Sequence, residues 1–96
     1  MAEKVHLIGI CGSGMSSMAL WYRSRGFQVS GCDRNPGENL AELIDSGISV
    51  SDEHDISHVE QADRVVFSAA IPSDHPEILR AREIGSQFPR GRLIVK

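Results

Sequence analysis

The sequence predicts an α/β fold: an open parallel sheet with helices on both faces, in one small domain. Three observations predict it. Short apolar runs alternate with amphipathic stretches, glycines stand where the first run meets the first such stretch, and 96 residues fit one domain and leave no room for a second. A chain with 41% hydrophobic and 24% charged residues has enough apolar surface for a core, which excludes a disordered chain.

The elements follow in order. Val5-His6-Leu7-Ile8-Gly9-Ile10 reads as a first strand, mostly apolar, as a strand buried on both faces should be. From Met15 the period becomes helical, with Met15, Met18, Ala19 and Tyr22 on one face, and Gly26 placed for a left-handed C-terminal cap. Trp21 lies off that stripe, either exposed or covered by a further domain. Residues 27–32 form strand two, with Asp33 at its carboxyl end. Leu40, Leu43 and Ile44 give one face of a short helix stopped by Gly47, and Ile48-Ser49-Val50 a small strand. Val65-Val66-Phe67 is the next strand, running into Ser68-Ala69-Ala70 and broken by Pro72. Asp74 with Glu77 has capping-box spacing, so a helix is expected from about residue 75 to 84, ended by Gly85. Leu93-Ile94-Val95 is the final strand.

Charge and cysteine usage narrow the function classes. The net charge of −3 divides into nine acids against Arg34 between Asp33 and Asp63, and five bases against Glu83 from Arg80 onward. Five bases with Phe88 as their one aromatic neighbour make a poor nucleic-acid surface, so no nucleic-acid partner is expected. No apolar run approaches the ~18 residues of a membrane span, and the first residues lack a signal-peptide pattern. Two cysteines, Cys11 and Cys32, are too few for a disulfide scaffold, which makes a reduced, cytoplasmic chain the expectation. No C-x-x-C spacing occurs, so no metal site is expected.

Gly9-Ile10-Cys11-Gly12-Ser13-Gly14 lies between a strand and a helix. A helix N-terminus leaves about four amide hydrogens without intrahelical partners and carries roughly half a positive charge. Glycine lets a phosphate approach the backbone because no Cβ stands in the way. Gly12, Ser13, Gly14 and Met15 are therefore the candidate cradle for a diphosphate; the alternative is that the glycines serve only a tight turn and close helix packing. The dinucleotide fingerprint G-x-G-x-x-G fits in part, since Cys11 stands in its second glycine position, while Gly14 fills the third and Asp33 the ribose-reading acid. A nicotinamide-dinucleotide module is thus one reading. None of the nine glycines precedes a lysine, so the chain has no Walker A loop.

Four stretches in order carry a resemblance: residues 5–15, Val29-Ser30-Gly31-Cys32-Asp33, Glu53-His54-Asp55, and residues 65–72 with Pro76-Glu77 following. Together they resemble the Mur ligase family over nearly all of residues 3–85. The resemblance implies that residues 1–96 are the Rossmann-like N-terminal domain, which binds the UDP part of UDP-N-acetylmuramate. It also implies that the central ATP-binding and C-terminal domains are absent. In the whole enzyme ATP, with magnesium, would phosphorylate the muramyl carboxylate, and an amine would attack the acyl phosphate to form an amide in peptidoglycan synthesis. This domain would place the substrate, hold no cofactor of its own and catalyse nothing alone.

Within the family, Ser-Gly-Cys-Asp and Ser-Ala-Ala-Ile-Pro read closer to the branch that adds L-alanine, whereas Gly-Ile-Cys-Gly is more like the branch that recycles a tripeptide. The resemblance further implies that Asp33 and His54 face the nucleotide and that Ser68, Ala69, Ala70 and Ile71 leave room for the uracil ring. Residues 86–96 depart from the family pattern and carry no site residue.

Overall fold

A computed structural model describes residues 3–35, 37–52, 60, 62–67, 74–87 and 92–95. The chain runs β1 (Lys4–Ile8), α1 (Ser13–Ser24), β2 (Gln28–Cys32), α2 (Leu40–Asp45), β3 (Ser49–Ser51), β4 (Arg64–Phe67), α3 (Pro76–Gln87) and β5 (Arg92–Val95). The strands form one parallel sheet in the order β3-β2-β1-β4-β5. The predicted open sheet is therefore the one observed.

β1 is central and buried on both faces, which is why its sequence is nearly continuous in apolar residues. Val5 and Leu7 point to one face, where they pack with Ile10, Met15, Ala19, Tyr22, Val29, Leu43 and Val66 beneath α1 and α2. Ile8 points to the other, with Cys32, Val65, Phe67 and Ile78 beneath α3. Helices thus cover both faces. Each fully buried Leu or Ile contributes about 1.5–3 kcal/mol, so β1 anchors the domain.

The strand assignment for Gly9 and Ile10 is corrected. β1 ends at Ile8, because Gly9 adopts φ 76° and turns the chain out of the sheet. Ile10 stays fully buried, folded back over Gly31 of β2. A Cβ on Gly31 would lie 2.5 Å from Ile10 Cδ1 and 2.7 Å from the Leu7 carbonyl oxygen, so the side-chain space at position 31 belongs to Ile10.

α1 starts at Ser13, two residues before its apolar stripe becomes visible. It closes as a Schellman motif, in which Phe27 N–H donates to Tyr22 O and Gly26 N–H to Arg23 O with Gly26 at φ 90°. α2 closes in the same way through Gly47 and Ile48. Trp21 is 52% exposed, edge-on to Tyr22.

α3 departs from expectation at both ends. It passes through Gly85 and continues to Gln87, since a single interior glycine costs only about 1 kcal/mol. At its start, His75 Nδ1 accepts from the Glu77 amide, and the Glu77 side chain turns inward, fully buried, instead of serving a surface capping box.

Candidate functional site

The loop between β1 and α1 is held from three sides. Gly9 and Ile10 both donate to the Cys32 carbonyl, at 2.8 and 3.2 Å, which ties the loop to the end of β2. Gly12 N–H donates back to Gly9 O at 3.2 Å and closes a tight turn. The Cys11 backbone is gripped on both sides of its Cα: its N–H donates to Asp33 Oδ2 at 3.0 Å, and its carbonyl accepts from Asn39 Nδ2 at 3.1 Å. Asp33 is itself fixed, since its Oδ1 accepts from Asn35 N–H and its own amide donates to Ser51 O of β3.

This framework places the first turn of α1 at the carboxyl end of β1. The first helical closure is Ser16 N–H to Gly12 O, so the amides of Ser13, Gly14 and Met15 have no carbonyl to meet within the helix. Gly12 is the N-cap residue and has no side chain to close this end, and the first turn holds no acid. The Gly12 amide faces the Gly9 carbonyl, and the three amides that follow it have no partner among the described residues.

Gly12 separates the two readings of the glycine loop. Its φ of −62° and ψ of 149° suit any residue, and a Cβ there would meet nothing closer than Gly9 O at 3.5 Å, an ordinary contact. The turn needs glycine at position 9, where φ is positive, but the described residues show no need for it at position 12. Open backbone beside amides without a partner among the described residues suits a phosphate.

Asp33 is brought to the loop, and each of its oxygens accepts a backbone amide. Hydrogen bonds to charged acceptors contribute about 1.5–3 kcal/mol each, and this group is only partly buried. Asp33→Ala is therefore expected to lower stability by roughly 2–3 kcal/mol, and Asp33→Asn, which keeps one acceptor oxygen, by about half of that; urea unfolding of both variants measures it. Asn39 carries no sequence signal for its part, because an asparagine before a helix reads as a cap. Its backbone is already helical, and its amide reaches a loop 28 residues away instead. His54 and Ser68, Ala69, Ala70 and Ile71 lie outside the described residues. β4 ends at Phe67, paired with Ile8, at the edge where the glycine loop leaves the sheet.

Both thiols are free and buried. Burial, and then the Asp33 carboxylate, push Cys11 above the ordinary thiol range. Burial does the same to Cys32, reinforced by its bond to Glu77. Neither is a poised nucleophile. Among the described residues no helix is long and apolar enough to cross a membrane.

Comparison with known proteins places this geometry among relatives. The model of the Mur ligase family, catalytic domain, matches residues 4–95. The UDP-N-acetylmuramate–L-alanine ligase of Persephonella marina is 38% identical over 93 residues, covering 96% of this chain and 20% of that protein. The crystal structure of the UDP-N-acetylmuramate-alanine ligase from Thermotoga maritima superposes with a TM-score of 0.81 at 34% identity, over 96% of this chain and 20% of the other. A murein peptide ligase from Psychrobacter arcticus gives a TM-score of 0.81 at 27% identity, over 99% and 19%. The chain thus spans about a fifth of the length of the relatives it matches.

Proposed function

The chain belongs to the Mur ligase family, and from that premise we propose that it binds the UDP part of UDP-N-acetylmuramate, as the substrate-placing domain of an ATP-dependent ligase adding L-alanine in peptidoglycan synthesis. The observation that carries the reading is Gly12: a glycine that the described residues do not require, next to three amides without a partner among them. The names of the Persephonella and Thermotoga relatives support the substrate.

In this reading the amides of Ser13, Gly14 and Met15 meet the diphosphate, with Gly12 leaving the approach open. Asp33 and Asn39 hold the loop in its binding shape before ligand arrives, which lowers the ordering cost of association. Asp33 also stands at the sheet edge next to the nucleotide, His54 is a further contact to the nucleotide, and residues 68–71 leave room for the uracil ring. Bond making lies elsewhere: the chain has no Walker A loop, so ATP and magnesium are not assigned to its residues. The cytoplasm, where nucleotide-linked precursors are held, is the proposed location.

A second reading has its own observation. Cys11 in the loop, and the likeness to the Psychrobacter murein peptide ligase, favour a tripeptide-adding enzyme that uses the same UDP-sugar. Titration calorimetry of the 96-residue chain tests the shared step. UDP-N-acetylmuramate and UDP are expected to bind saturably and weakly, with NADH silent and no ligation on addition of ATP and L-alanine. Absence of heat up to millimolar UDP-sugar, or tighter binding of NADH, contradicts the proposal.

A further inference from the structure

On the sheet face opposite α1, three side chains from three elements converge: His6 of β1, Cys32 of β2 and Glu77 of α3. All are at most 1% exposed, and one ligand atom from each lies within 4.8 Å of the others. The Glu77 carboxylate bridges the other two. Its Oε1 accepts from Cys32 Sγ at 2.9 Å, and its Oε2 lies 3.8 Å from His6 Nε2. We propose that His6 Nε2, Cys32 Sγ and a Glu77 carboxylate oxygen form a site for a thiophilic divalent metal ion of the zinc type. The inference is independent of the nucleotide reading, because it concerns the other face of the sheet.

The donor set supports it. Imidazole, thiolate and carboxylate are the zinc ligands, and a sulfur donor discriminates against magnesium and calcium. Zinc bonds of about 2.0–2.3 Å place tetrahedral neighbours roughly 3.3–3.8 Å apart, so the observed separations need side-chain adjustment and no refolding. The second nitrogen is already engaged: His6 Nδ1 lies 3.0 Å from Ser30 Oγ, the outer contact that orients a ligating imidazole. The charges also close. Binding displaces the thiol proton of Cys32 to solvent, and thiolate plus carboxylate then match the dication with histidine neutral. Sequence spacing hides the set, since Glu77 is 45 residues from Cys32. Bound metal would fasten the start of α3 to β1 and β2.

Cobalt(II) is the probe, added under reductant both to the folded chain and during refolding from urea, because the ligands are buried. One equivalent is expected to give near-ultraviolet thiolate-to-cobalt charge transfer, resistant to excess Mg²⁺ and displaced by Zn²⁺. Cys11→Ser should keep the band and Cys32→Ser should lose it. Zinc-edge X-ray absorption of the unaltered chain should show one sulfur, which tests the site even if Cys32→Ser fails to fold. No charge transfer by either route, a band that follows Cys11, or zinc bound by oxygen and nitrogen alone overturns the proposal.

Discussion

Gly31→Ala is expected to destabilise the domain more than a methyl added at Gly12, Gly26, Gly37 or Gly47. The added Cβ would stand 2.5 and 2.6 Å from Ile10 Cδ1 and Cβ, and 2.7 Å from the Leu7 carbonyl oxygen. Real Cβ contacts essentially never fall below 3.0 Å. Ile10 cannot swing aside cheaply, because it is fully buried and its Cβ sits on backbone tied to Cys32. Leu7 cannot retreat either: it lies in the central strand, in register with Gly31 on one side and Val66 on the other. Overpacking a core costs about 1–3 kcal/mol, and a clash with two rigid partners belongs at or above the top of that range. In a domain of this size 3 kcal/mol lowers the melting temperature by roughly 12–24 °C. Thermal and urea unfolding measure it, with Gly37→Ala as the control. A Cβ at Gly37 meets nothing within 4 Å, and an exposed substitution of that kind changes stability by about 0.5 kcal/mol or less.

Gly14→Leu is expected to abolish nucleotide binding while leaving the fold intact. Gly14 is exposed in the first turn of α1, and leucine is the better helix former by up to about 1 kcal/mol. Loss of binding with the helix intact by circular dichroism is therefore a loss at the site. A leucine side chain at the second helical position stands where a phosphate must approach the Ser13–Met15 amides. Affinity for UDP should fall more than tenfold, that is by over about 1.4 kcal/mol. Gly12→Ala is the companion variant, chosen because the Cβ fits the ligand-free loop, and it should weaken binding to a lesser degree. Calorimetry reads both, and circular dichroism confirms the helix. Undiminished UDP binding by Gly14→Leu would place the nucleotide away from this turn.

The parts of the fold that the sequence shows are those set by local periodicity and by glycine chemistry. Val5 to Ile8 reads as a central strand because it is apolar on both faces. Gly26 and Gly47 end helices because only a left-handed residue closes a Schellman turn at low cost. The same local reading extends β1 through Gly9 and Ile10, since nothing in an apolar run says where backbone hydrogen bonding stops. Gly31 and Ile10 become intelligible only together, across two elements whose register the sequence does not state. Glu77 fits a capping box by spacing, yet its environment is set by His6 and Cys32 on distant strands. At the candidate site the glycines and Asp33 are visible in the sequence, whereas the grip of Asp33 and Asn39 on the backbone of Cys11 is a property of the folded loop. The family resemblance rests on four ordered motifs, and the match over residues 4–95 agrees with it.

Backbone amide NMR of the folded chain during a UDP titration tests the nucleotide site most directly. Saturable shifts that are largest at Ser13, Gly14 and Met15 are the predicted result. A folded chain whose spectrum leaves those three resonances in place at millimolar UDP would contradict it.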